Sequence, residues 1–177
     1  RYVERLHMLN EVHQALAHSV ELDELLALIL ERSFDQLRPE EGAIFLRGPQ
    51  GGFVQAASRT AAGRAATGLE SRSLLHEVVD KGQAALVLDT VTDARFHHAM
   101  SLMSSGMRSL VAAPLLAPDG ALGMIVLGSR LVVRQFVEED MELLASLASV
   151  AALHLRNVRL AAEAAERRRL EQEVALA

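Results

Sequence analysis

Two apolar runs, 109–116 and 122–127, flank Ala117-Pro118-Asp119-Gly120. Proline presets φ, aspartate closes a turn and glycine accepts positive φ, so the stretch predicts a β-hairpin. Phe136 then opens a segment that runs to Ala177 without Gly or Pro, and this predicts one long helix. Strands joined in sequence by hairpins form an antiparallel sheet, and helices must cover its faces.

Earlier segments supply the remaining elements. Tyr2, Leu6, Leu9, His13, Leu16 and Val20 follow steps of 4, 3, 4, 3 and 4, a heptad seam on a first helix. A second helix over 24–37 is apolar around much of its circumference and ends at Pro39. Strands are predicted at 42–46 and 53–57 around a Gly-Pro-Gln-Gly-Gly turn, followed by a small-residue loop over 58–68. A helix over 71–81 closes at Gly82, a brief strand follows at 85–88, and 89–107 is a long polar loop. The order α-α-β-β-α-β-loop-β-β-α defines an α+β domain, an antiparallel sheet with helices on its faces and long terminal helices.

Composition narrows the chemistry. Of 177 residues, 50% are hydrophobic and only 3% aromatic, so Ala, Leu and Val fill the core. Lys+Arg 18 against Asp+Glu 23 gives a formal net charge of -5 with no basic block, which speaks against nucleic acid. The chain has no Cys, which excludes disulfides, zinc–thiolate sites and thiol catalysis and fits a cytoplasmic setting. No apolar run reaches the roughly 18–20 residues that span a bilayer. The chain starts at Arg1 and both ends fall inside helices, as expected of a fragment.

This order resembles the GAF domain of bacterial multidomain signalling proteins. The likeness is carried by Leu9-Asn-Glu-Val with Leu22-Asp-Glu-Leu-Leu26, by Asp89-Thr-Val-Thr-Asp-Ala-Arg-Phe96, and by Gly106-Met-Arg-Ser-Leu110 with Pro114-Leu-Leu116. Gly123-Met-Ile-Val-Leu127 and Phe136-Val-Glu-Glu-Asp-Met-Glu-Leu-Leu144 complete it. The resemblance implies a sensory or regulatory domain, with a pocket over one sheet face under 89–107 and 71–81. It implies lining residues Phe45, Arg59, Leu75, Arg95, Phe96, Met107, Ser109 and Met124. Cyclic-nucleotide-binding members carry Asn-Lys, then Phe, three residues and Asp-Glu. The matching positions here are Ser129, Arg130, Phe136, Asp140 and Met141, so three of the five depart and cyclic nucleotides are not expected. Arg130 and Asp140 are expected to form a structural ion pair.

Catalytic constellations find little support. Ser104, Ser105 and Ser109 lack the Gly-x-Ser-x-Gly elbow, and Gly48–Gly52 lacks the Lys of a phosphate loop. His97 and His98 read as loop groups without a ligand cluster, and Met100, Met103 and Met107 as packing of the loop. The expectation is a non-enzyme with no cofactor and no metal. A reductase acting on methionine sulfoxide, an activity known within the GAF fold, would lack its sulfur nucleophile.

Two apolar stripes on the last helix set its partners. Leu144, Leu147, Ala148, Ala151, Leu155 and Val158 suit the sheet, while Leu143, Val150, Leu153, Asn157 and Leu160 suit a second subunit. Together with the first-helix seam they predict a parallel homodimer. The domain plan is 1–20 as a dimerising helix, 21–158 as the GAF domain and 159–177 as a signalling-helix linker. That linker would lead to a fused effector beyond the chain: a serine phosphatase, kinase or cyclase. The tail 169–177 resembles the helical lead-in to metal-dependent serine phosphatases of the sigma-factor regulator type. The alternative is a purely structural dimerisation module.

Overall fold

The computed structural model describes residues 2–18, 21–61, 69, 71–96, 106–130, 133 and 135–176. Helices α1 (Tyr2–Ala17) and α2 (Leu22–Leu37) precede strands β1 (Glu41–Arg47) and β2 (Phe53–Thr60). A single helical turn, α3 (Arg72–Leu75), then leads to β3 (Ala85–Val87), β4 (Ser109–Ala117) and β5 (Gly120–Ser129). Helix α4 (Glu138–Leu176) closes the chain with 39 residues.

The strands form one antiparallel sheet in the order β2-β1-β5-β4-β3. Its centre is the expected hairpin, with Gly120 at φ 129 in the turn. Residues alternate between faces along a strand. Ile44, Val111, Ala113, Ile125 and Leu127 meet α1, α2 and α4 on one side. Ala43, Phe45, Leu110, Ala112, Met124 and Val126 face the other side, under Leu69, Leu74, Val78 and Val79. Both faces being covered explains why β4 and β5 are apolar in succession rather than at every second residue.

Local signals end the elements as residue chemistry demands. Ser71 caps α3, its Oγ accepting from Leu74 N–H at 3.2 Å. Arg38 ends α2 in the left-handed region at φ 51 just before Pro39 and donates its N–H to Phe34 O at 2.8 Å. Two expectations need correction. Strand β2 extends to Thr60, because 58–60 pair with 41–43 of β1 where a loop was expected from Ser58. The single helix expected over 71–81 is α3 followed by a π-turn, His76–Asp80. The wider turn lets consecutive Val78 and Val79 both reach the sheet, at 0% and 6% exposure.

Candidate functional site

The expected lining residues divide between the two faces of the sheet. Phe45, Met107 and Met124 are fully buried together on the face under α3, and Leu75 packs half-buried against them. The backbone of Met107 is pinned at the head of β4, where Thr90 Oγ1 donates to its carbonyl at 2.5 Å. Its thioether fills the space beside Gly128, where a Cβ would stand 2.8 Å from Sδ. Ser109 and Arg59 belong to the opposite face. Ser109 pairs with Ser129, and alternation sets it on the side of Val111. Arg59 pairs with Gly42, and its guanidinium lies 5.1 Å from the Phe34 ring of α2. Strand parity accounts for the division, and for Arg59 it depends on register across the irregularity at Ile44/Phe45.

Arg95 sits on a 3-10 turn, Ala94–Phe96, at the outer edge of the sheet. Its Nη2 donates to Leu86 O of β3 at 2.7 Å and to Asp93 Oδ2 at 2.8 Å. The Arg95 hydrogen bond holds the Asp93 carboxyl below its ordinary range. Asp89 takes a different partner, Arg108, at 3.5 Å. The Phe96 side chain, Val20, His97, His98, Met100, Met103, Ser104 and Ser105 lie outside the described residues.

The expected Arg130–Asp140 pair does not form. Asp140 Oδ2 accepts from the N–H of Val137 at 2.9 Å, so it caps its own helix. Arg130 Nε instead lies 3.9 Å from Glu40 Oε2, and Glu40 Oε1 accepts from Ser129 Oγ at 3.0 Å. The start of α4 supplies a strong local donor, which claims Asp140 before a more distant cation can. No local pattern points to this Glu40–Ser129–Arg130 group, because Glu40 reaches the adjacent Ser129 and Arg130 only through β1–β5 pairing.

The helix seams are also partly spent within the chain. Leu16 is 1% exposed, and Leu9, Leu143 and Val150 pack against the same core. Tyr2, Leu6, Leu153 and Leu160 remain exposed at 76%, 49%, 47% and 49%, with Asn157 beside them on α4. The expectation that the whole α1 seam faces a partner is therefore corrected: α1 lies parallel to α4 and buries Val12 and Leu16 there. His13, the polar member of the seam, meets His154 of α4.

Two cavities among the described residues lie away from Phe45 and Met124. One of about 530 Å³ sits between α1 and the start of α4, lined by Tyr2, Arg5, Met8, Asp140 and Leu143. The other, about 230 Å³, lies between α2 and β2 beside Leu30, Ala57 and Arg59. Among the described residues no group of three His, Asp or Glu stands together as metal ligands, and no helix is long and apolar enough to cross a membrane.

An antiparallel sheet of this order, helices on one face and a shallower cover on the other, defines a layered α+β domain of the GAF type. A family model described as the GAF domain matches residues 21–157, and the chain belongs to that family. Solved structures share the fold. The GAF domain of the cyanobacteriochrome TePixJ is 16% identical, with 82% of this chain and 95% of that chain covered at a TM-score of 0.70. Free methionine-R-sulfoxide reductase from Neisseria meningitidis, in complex with its substrate, is 19% identical, with 89% and 91% covered and a TM-score of 0.71. The GAF domain of an Acinetobacter phosphoenolpyruvate-protein phosphotransferase is 14% identical, with 89% and 95% covered and a TM-score of 0.70. No curated protein matches the chain.

Proposed function

We propose that this GAF domain is a non-catalytic sensory and regulatory module that acts as a parallel homodimer and relays a signal along α4 to a fused effector. The observation that carries this is the continuity of α4. Leu144, Leu147, Ala148, Ala151 and Leu155 are fixed in the core against the sheet, and the same helix continues exposed over 159–176. At 1.5 Å per residue the exposed part extends about 27 Å. A displacement of the sheet face is thereby carried to the far end of one rod. Exposed Leu6, Leu153 and Leu160 supply the apolar patch that a second copy would cover. The ligand side is the face of Phe45, Met107 and Met124. Those side chains are themselves fully buried, which also supports the second reading, a dimerisation module that binds nothing.

Light scattering on the wild-type chain and on Leu6→Glu with Leu153→Glu tests the dimer. The expected result is a dimer that becomes a folded monomer on substitution. A wild-type chain that stays monomeric at about 100 μM, where a dimer of about −8 kcal/mol would form, overturns it. A thermal-shift screen of small metabolites separates the ligand-binding reading from the purely structural one, because a ligand of the folded state raises Tm by mass action.

A further inference from the structure

His13 of α1 and His154 of α4 meet across the seam between the two helices. His154 Nε2 lies 2.8 Å from His13 Nδ1, with ring centroids 4.6 Å apart and planes tilted by 52°. His154 is 8% exposed, while His13 stands at the solvent edge. A hydrogen bond between imidazoles needs one ring to supply N–H and the other a bare lone pair. Two imidazolium rings have no lone pair to offer at this distance, and like charges so close repel.

This contact ties α1 to α4. Among the described residues a further polar tie lies nearer the start of α1, where Arg5 Nη2 donates to Ser146 Oγ at 3.2 Å and Nη1 stands 3.7 Å from Glu142 Oε2. Val12 and Leu16 are buried in the half that the histidines hold.

Among the described residues burial and His13 are what act on the His154 ring, and no carboxylate offsets them. From α1 the group facing His154 is His13 itself, and Glu11 and His18 are exposed. On α4 the nearest charges in sequence are Arg156 and Arg159, both cationic. From α2 the side chains in the same core cluster are apolar, among them Leu25 and Ile29, while Asp23 and Glu24 are exposed. From β4 they are Val111 and Ala113.

We propose that the His13–His154 pair is an acid-sensitive latch, which holds the C-terminal half of α1 on α4 while at least one ring is neutral and releases it when both are protonated. Release would uncover a flank of the very helix that leads out of the domain, giving α4 an input separate from the ligand face. Burial holds the His154 imidazole below its ordinary 6.5, and the His13 charge acts in the same direction. The docked state therefore takes up fewer protons than the released one. Docking is firmest above the ordinary value and weakens as pH falls through it towards the lowered one. One such proton raises the opening equilibrium by up to about tenfold per pH unit.

The chain has no Cys, so spin labels on Gln14→Cys and Arg159→Cys, both exposed, report one α1–α4 distance by double electron–electron resonance. The full chain is used, diluted with unlabelled protein so that each particle carries one labelled pair. Between pH 7.5 and 5.5 the long-distance population is expected to rise about fivefold or more. His154→Gln flattens this response, and His13→Gln, at the solvent edge, weakens it. An unchanged distribution in the chain with both histidines overturns the latch. So does a rise of equal size in either variant, and His13→Gln alone decides the matter if His154→Gln fails to fold.

Discussion

Gly123 of β5 runs against the backbone of Phe45 in β1. A Cβ at 123 would overlap the Phe45 carbonyl oxygen and stand 2.9 Å from its carbon and 3.0 Å from Leu46 Cα. The obstacle is backbone, which cannot rotate aside as a side chain can. Gly123→Ala is therefore expected to prise β5 from β1 and destabilise the domain by about 3 kcal/mol. Each kcal/mol lowers Tm by about 2–4 °C at this size, so circular dichroism should show a fall of about 6–12 °C. An unchanged Tm contradicts the close approach.

The Met107 thioether is expected to fill its space rather than to gate it. Met107→Ala removes buried contacts beside Gly128 and should destabilise by about 2–4 kcal/mol. Met124→Leu, which conserves volume at a fully buried site, should change stability by less than about 1.5 kcal/mol. Denaturant melts of the two variants check the contrast, and equal losses would mean that neither side chain is packed as described.

Asp140 stabilises the start of α4 and does not work through Arg130. Asp140→Ala should lose about 1 kcal/mol as the Val137 N–H goes unpaired. A double-mutant cycle with Arg130→Ala should be additive within about 0.5 kcal/mol. A larger coupling energy would restore the ion pair between them.

Cyclic AMP and cyclic GMP are expected to bind weakly or not at all. By the family resemblance of the sequence, Ser129, Arg130 and Met141 match positions that are Asn, Lys and Glu in nucleotide-binding members, and Met141 packs against the core. Isothermal calorimetry giving a Kd tighter than about 10 μM, roughly −7 kcal/mol, would contradict this.

Local chemistry makes much of the fold legible in the sequence. Ala117-Pro118-Asp119-Gly120 specifies the central hairpin, and the period of Leu144, Leu147, Ala148, Ala151 and Leu155 specifies which stripe of α4 meets the sheet. These signals act within a few residues, through φ restriction, hydrogen bonding to the local backbone and helical period, so the sequence alone carries them.

Parity and pairing at long range were decided only by the tertiary structure. Phe45 and Met124 share a face, whereas Arg59 and Ser109 lie on the other, because side-chain direction depends on register across strands that are far apart in sequence. Leu9 and Leu16 of α1 repeat at heptad steps, but a period says that a stripe must be buried, not against what. The same limit applies to His13 and His154. Each sits on a helix whose own pattern is readable, yet 141 residues separate them, and only the docking of α1 along α4 brings their nitrogens to 2.8 Å.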